Sequence, residues 1–352
     1  MSLRPAAAAA LAVAMLLDVR ASEPPAIDVL LAGQFGFDTA QVEEVRHGRP
    51  VAVSLPGSIE REFLAAGAIR IETPVGQLLD RFRNIERLES GTGFLQTVRI
   101  GEPPTLGDFA ALSLPASDIA DLRKCRPGDC DIKLNQRGFD LFSGIDWKAP
   151  DHVASAHRLY RQYLFDLLQA YRSHGNAGLG LSMEHKPPRD TAAEFAELLS
   201  STSFLESGTP GLREYLVHYP AAQKPAGLEE FFYWSIVEFG LKKTVRLNHV
   251  VIYPVAGASG PRFVLSNRIL YASHYFQNAI EVRLASDAPL TPGRAHYLLV
   301  LNLARPDGVT GVFGPIVRYK VRTGGRETLR KTLLLTKQRT EATQVNASPG
   351  AS

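Results

Sequence analysis

The chain has 352 residues, of which 45% are hydrophobic and 21% are charged, and its formal net charge is +3. These proportions are typical of a globular protein. So weak a positive charge argues against nucleic acid as the main partner, because nucleic-acid-binding proteins concentrate Lys and Arg on one face.

The N-terminal 25 residues have the layout of a cleavable secretory signal. Arg4 precedes an Ala- and Leu-rich run from Pro5 to Leu17, and Val19-Arg20-Ala21 places small residues at the cleavage position. The run is shorter than the roughly 20 apolar residues that span a bilayer. We therefore expect a signal peptide over 1–21, cleavage after Ala21, and a protein exported to the periplasm or beyond. The alternative is an ordinary buried N-terminal helix.

The remaining chain, 22–339, is predicted to be one α+β domain, with a disordered polar tail over 340–352. Its first part predicts short helices, two short strands, an amphipathic helix from Thr73 to Leu88 and a strand from Phe94 to Ile100. A short helix capped by Ser117 then leads into the only two cysteines.

Cys125 and Cys130 flank the tetrapeptide Arg126-Pro127-Gly128-Asp129, which has the residues of a tight turn. In an oxidising compartment two such neighbouring thiols favour a disulfide. This disulfide would join the end of a helix to a strand predicted over "CDIKLN". A zinc site and a redox pair are the alternatives, although neither the ligand set of a zinc site nor the C-x-x-C spacing is present.

A helical insertion is predicted over 150–220, with a short strand at "GLGLSMEH" between its helices. From Gly227 the apolar residues follow a period of two, which predicts a series of antiparallel strands. The last predicted element is a long helix in "PIVRYKVRTGGRETLRKTLLLTKQRTE", whose Leu329, Leu333 and Leu334 should pack on the sheet.

The order of these elements resembles the START-like (SRPBCC, helix-grip) architecture, in which an antiparallel sheet packs on a long C-terminal helix. The stretches that carry the resemblance are "AIRIETPVGQLLDRF" and "HYLLVLNLARPDG" with the terminal helix after it. "CRPGDC" and "YASHYF" also resemble an uncharacterised family of exported bacterial proteins. The helix-grip resemblance implies a gap between sheet and helix that holds a sterol, lipid or other apolar ligand.

Several side chains of the predicted sheet are candidates for binding such a ligand. Strict alternation over Phe263–Phe276 places Tyr271, Tyr275 and Asn267 on the more apolar face, towards the terminal helix. Core packing is the alternative role for both tyrosines. The other candidates are His249, His274 and Trp234, the last of which also suits the core.

The leading hypothesis is an exported, non-catalytic binding protein for an apolar or amphipathic small molecule or lipid. The sequence supplies no cofactor motif and no complete set of metal ligands, and common hydrolase and nucleotide-binding signatures are missing. One alternative is a periplasmic enzyme that uses His249, His274 and Glu238. Another is an envelope protein that docks through the insertion 150–220. The basic terminal helix also suits peripheral contact with anionic lipid headgroups.

Overall fold

The computed structural model describes residues 27–91, 93–238, 242–255, 262–307 and 314–347. The predicted signal peptide and its cleavage site after Ala21 lie outside these residues. The strands are β1 (Val51–Leu55), β2 (Phe63–Ile71), β3 (Phe94–Arg99), β4 (Leu181–Ser182), β5 (Arg189–Asp190), β6 (Glu229–Glu238), β7 (Lys243–Val255), β8 (Arg262–Ala272), β9 (Phe276–Asp287) and β10 (His296–Pro306).

The helices alternate with these strands in the first two thirds of the chain, and one long helix closes the last third. They are α1 (Ile27–Phe35), α2 (Thr39–Arg46), α3 (Val75–Arg83), α4 (Ile85–Leu88), α5 (Ala116–Leu122), α6 (Gln136–Ser143), α7 (His152–His174), α8 (Thr191–Leu199), α9 (Phe204–Ser207), α10 (Leu212–Val217) and α11 (Gly314–Ala347). The tail predicted to be disordered from Thr340 is thus helical as far as Ala347, and Thr340 itself is buried.

Eight strands form one open antiparallel sheet in the order β1-β2-β10-β9-β8-β7-β6-β3, and β4 pairs with β5 separately. The predicted α+β class, with an antiparallel sheet packed on a long C-terminal helix, is therefore confirmed. β3 and β6 are neighbours in the sheet although residues 100–228 separate them in the chain. This segment, which contains the helices predicted over 150–220, adds no described strand to the large sheet.

The sheet carries an apolar core on each face because apolar side chains alternate along its strands. One face, which we call the insertion face, includes Val251 and Val264 and packs against Tyr160 and Leu164 of α7. The opposite face, the terminal-helix face, includes Ile252, Leu265 and Leu298 and packs against α3 and α11. Helices thus cover both sides of the sheet.

The terminal helix runs along β1 and β2 through two leucines, Leu329 and Leu333, which are 2% and 1% exposed. Gly67 of β2 lies directly beneath them: a Cβ atom there would come within 2.8 Å of Leu333 Cδ1 and 3.1 Å of Leu329 Cδ2. Leu334 is 40% exposed. The predicted packing is thus correct for Leu329 and Leu333, whereas Leu334 lies largely in solvent because it falls beyond the buried stripe of the helix.

Cys125 and Cys130 form the predicted disulfide. Between them Arg126 and Asp129 exchange two backbone hydrogen bonds of 3.0 and 2.9 Å, and Gly128 has a φ of +83°, which glycine adopts without strain. The strand predicted over "CDIKLN" is not formed, and the segment after Cys130 is irregular. The cysteine turn instead contacts the chain next to β4, where Gly128 N–H donates to the Met183 backbone oxygen and Cys130 N–H donates to that of Glu184. The strand predicted at "GLGLSMEH" shortens to the two residues of β4.

Candidate functional site

Tyr271 lies on the insertion face of the sheet, opposite to the face that strict alternation predicts. β8 has a bulge at Leu270: Tyr271 pairs with Leu247 but Ile269 pairs with Asn248, so one residue of β8 has no partner in β7. A bulge of one residue reverses the side on which every later side chain lies. Both Leu270 and Tyr271 therefore join the core beneath α7.

Three tyrosines meet beneath α7. The Tyr160 hydroxyl donates a 3.0 Å hydrogen bond to the Tyr271 hydroxyl, and the Tyr163 and Tyr271 ring centroids lie 5.8 Å apart at nearly a right angle. Burial raises the pKa of Tyr271 well above its usual value. The hydroxyls are therefore neutral, and they hydrogen-bond without carrying charge.

A small opening borders this group, and we call it the tyrosine cleft. Its volume is about 40 Å³, and its lining includes Lys133, Tyr163, Leu167, Leu181, Tyr271 and Gln277. One water needs roughly 10–15 Å³ of such space, whereas a pocket for a drug-sized ligand measures roughly 300–1,000 Å³. The tyrosine cleft can therefore accept a small chemical group but not a whole lipid.

The polar lining of the tyrosine cleft belongs to a network of ion pairs. Lys133 forms an ion pair with Asp307. The Gln277 side-chain nitrogen donates to Glu184 Oε1 at 2.6 Å and to Asp307 Oδ1 at 3.0 Å. The Gln277 amide oxygen is buried and has no hydrogen-bond partner among the described residues. The cleft therefore combines apolar walls with a lysine cation that Asp307 already pairs, while the Gln277 oxygen is closed to solvent.

His249 is fully buried and belongs to a separate chain of polar groups on the same face of the sheet. Its Nε2 atom lies 3.0 Å from Glu230 Oε2, and its Nδ1 atom lies 3.1 Å from the Tyr171 hydroxyl. Burial lowers the pKa of His249 although Glu230 opposes this shift. The neutral imidazole thus donates through Nε2 to the carboxylate and accepts through Nδ1 from Tyr171.

Arg268 continues this chain into the core. It lies opposite His249 in the β7–β8 ladder, and its Nη1 atom donates to the Tyr171 hydroxyl at 3.3 Å. The guanidinium carbon lies 3.4 Å from the centroid of the Phe195 ring, which is a cation–π arrangement. Arg268 is fully buried, and its Nε and Nη2 atoms have no hydrogen-bond partner among the described residues. The aromatic contacts therefore replace a counter-ion.

The enzyme hypothesis required His249, His274 and Glu238 to converge, and the structure does not bring them together. His274 lies in the turn after β8, where its Nδ1 atom is 2.9 Å from the Asp131 backbone oxygen and its Nε2 atom is 3.2 Å from Asp118 Oδ1. Glu238 is exposed at the end of β6. The prediction failed because period-two patterning gives the face of a strand residue but not its position along the sheet.

The other predicted ligand-binding residues are also dispersed. Tyr275 lies in the turn between β8 and β9 with a φ of +70°, and its hydroxyl accepts a 2.6 Å hydrogen bond from the Lys242 backbone N–H. Asn267 lies on the terminal-helix face and donates to the Tyr233 hydroxyl at 2.6 Å. Trp234 is fully buried and donates to the Asp108 backbone oxygen at 2.9 Å. Of the six candidates, Tyr271 alone lines the tyrosine cleft.

Sequence reasoning missed the residues that complete both polar groups, namely Lys133, Gln277, Glu230, Tyr171 and Arg268. Arg268 carried the only usable signal, since a charged residue in the middle of a largely apolar strand demands a buried partner. Tyr171 lies in α7 at a position that helical periodicity assigns to the core. Its contact with His249 depends on how the insertion docks onto the sheet.

No protein-family model matches the chain, and no curated protein matches it at a significant level. No group of three or more His, Cys, Asp or Glu side chains in the described part of the chain could hold a metal ion. None of the described helices combines the length and apolar character needed to cross a bilayer.

Proposed function

We propose that the protein is an exported binding protein that holds the polar end of a small amphipathic molecule in the tyrosine cleft. The single observation behind this proposal is the cleft itself, where Tyr271 and Tyr163 meet Lys133 and Gln277 beside leucine side chains. Ligand sites combine mainly apolar walls with a few polar groups that fix orientation. Lys133, which is ion-paired with Asp307, supplies such a group.

The walls of the cleft suit an amphipathic ligand better than a fully apolar one. The volume of about 40 Å³ admits a head group only, so a longer apolar portion would lie along the mouth. Leu181 borders this mouth and is 48% exposed, which extends apolar surface outwards from the cleft. A ligand with a small polar head and a short apolar tail fits both parts.

The helix-grip resemblance supports a binding function, although we place the ligand on the other face of the sheet. In that architecture the ligand lies between the sheet and the terminal helix. Here Leu329 and Leu333 press against Gly67 with no room for even a Cβ atom. Export is supported by the Cys125–Cys130 disulfide, because disulfides persist mainly in oxidising compartments.

The test compares the wild-type protein with Leu181→Trp, which fills the mouth of the cleft from a half-exposed position. The matched control is Leu290→Trp, a substitution at a residue that is 96% exposed and does not line the cleft. The purified proteins are examined by native mass spectrometry, and their organic extracts are analysed by mass spectrometry. We expect wild type and control to carry the same molecule and Leu181→Trp to lose it.

Two results would overturn the proposal. One is a wild-type protein that is empty on purification and binds no member of a panel of fatty acids, sterols and lysophospholipids. The other is a folded Leu181→Trp variant that retains the same molecule as wild type. Circular dichroism of both variants establishes that they are folded.

The two alternative functions have less support. The enzyme hypothesis required His249, His274 and Glu238 to meet, and these side chains lie apart. For the docking hypothesis, the exposed large apolar residues among the described residues of 150–220 are Val153 of α7 and Leu181 of β4. They therefore offer less for a protein partner than one contiguous apolar patch would.

A further inference from the structure

The solvent side of the terminal helix α11 carries two pairs of exposed apolar residues. Ile316 and Tyr319 are 58% and 69% exposed near its start, and Leu334 and Leu335 are 40% and 49% exposed further along. Ile316 and Leu334 are 18 residues apart, which is five whole turns at 3.6 residues per turn. Both therefore project from the same side of the helix, about 27 Å apart.

The helix between these positions is strongly basic on its exposed surface. Four exposed cations, Lys320, Arg326, Arg330 and Lys331, lie within about 80° of Ile316 around the helix axis, as does the one exposed acid, Glu327. Four positive charges and one negative charge give +3, which equals the formal net charge of the whole chain. The rest of the chain therefore sums to zero, so this one surface matches the net positive charge of the protein.

We propose that this surface of α11 docks on an anionic phospholipid bilayer, with the helix lying in the plane of the membrane surface. Lysine and arginine side chains near a bilayer are attracted by acidic headgroups, and exposed apolar residues insert between them. The arrangement suits a planar surface because the apolar residues lie at both ends of the basic stretch. A compact acidic protein patch would have no use for apolar contacts so far apart.

The experiment measures co-sedimentation of the purified full chain with vesicles. Vesicles that contain phosphatidylglycerol supply the anionic surface, and vesicles of phosphatidylcholine alone supply the neutral one. We expect binding to the anionic vesicles, weaker binding as salt is raised, and little binding to the neutral vesicles.

Two quadruple variants separate this surface from general electrostatic attraction. The first changes Lys320, Arg326, Arg330 and Lys331 to Gln, and it should weaken vesicle binding by roughly a hundredfold or more. The control changes four exposed cations outside α11 to Gln, namely Arg123, Lys124, Lys148 and Arg158. It removes the same net charge and should bind almost as the wild type does.

The apolar part of the surface is tested by Ile316→Ser combined with Leu334→Ser, which keeps every charge. This variant should bind anionic vesicles more weakly than wild type while showing the same dependence on salt. The proposal fails if the wild type does not sediment with anionic vesicles, or if the control variant loses as much binding as the α11 variant. The ligand test at the tyrosine cleft is independent of both outcomes.

Discussion

At the scale of single residues, Glu230 shows how the fold controls a charge. Burial alone would raise the pKa of its carboxyl group, but hydrogen bonds from His249, Lys224 and Tyr215 lower the pKa to about 2. Its side chain is 18% exposed, so these partners act with little screening by solvent. The preceding residue of the strand, Glu229, points to the other side and pairs with Arg83 at the surface.

This contrast predicts a pH dependence of stability that belongs to Glu230. The folded-state pKa of about 2 lies below the ordinary value of 4.5, so the carboxylate stabilises the fold above about pH 4.5. That contribution, on the order of 3 kcal/mol, disappears as the pH falls towards 2. Glu230→Gln should therefore destabilise the protein strongly at neutral pH and much less near pH 2, as measured by urea unfolding across this range.

Glu229→Gln is the matched control, because its pKa is also lowered by Arg83 but its side chain is 51% exposed and screened. Its effect should be small at every pH. His249, whose pKa burial lowers, contributes a separate loss of stability that begins below its ordinary value of 6.5. A destabilisation by Glu230→Gln that stays constant from neutral pH to pH 2 would contradict the interpretation.

Sequence reasoning could name some of these residues but not their partners. His249 was found because a histidine in the middle of a strand stands out. Glu230 lies 19 positions earlier, and the two meet because β6 and β7 pair with Phe232 opposite His249. Tyr171 comes from an insertion whose docking no local pattern encodes. Contacts between distant segments depend on register and docking, which a single sequence leaves open.

At the scale of elements, the terminal helix illustrates what periodicity can and cannot predict. Its 34 residues include three glycines, and its apolar positions predict the buried leucines Leu329 and Leu333. The same pattern misplaced Leu334, since two adjacent leucines cannot both point to the sheet. In β8, the bulge at Leu270 defeated strict alternation and moved Tyr271 to the opposite face. Bulges leave no clear mark in the sequence.

Leu333 and Leu334 offer a direct test of how this helix is seated. Leu333→Ala removes a side chain that is 1% exposed and touches the space above Gly67, so it should cost about 2–5 kcal/mol in the free energy of unfolding. Leu334→Ala changes a residue that is 40% exposed and should cost less than about 1 kcal/mol. Urea unfolding of the two single variants checks the difference. Equal costs would show that the helix is rotated from the position described.

At the scale of the whole molecule, one sheet serves two cores. Adjacent residues of β7 divide between them: Val251 joins the core of the insertion face and Ile252 joins the core of the terminal-helix face. The α+β class could be predicted because both periodicities are clear in the sequence. The arrangement of residues 100–150 could not, because this stretch mixes short helices with irregular segments that resemble ordinary connections.

Because the two cores share one sheet, we expect them to unfold together. Leu333 packs on the terminal-helix face, and Leu164 of α7 is fully buried on the insertion face. If α7 or α11 detaches, one side of the strands is exposed to solvent while the other side still belongs to the second core. Neither core can therefore persist alone. Leu333→Ala and Leu164→Ala should each lower the midpoint of the same single transition in differential scanning calorimetry. Two separate transitions, with each variant shifting a different one, would mean that the insertion and the terminal helix are stabilised independently.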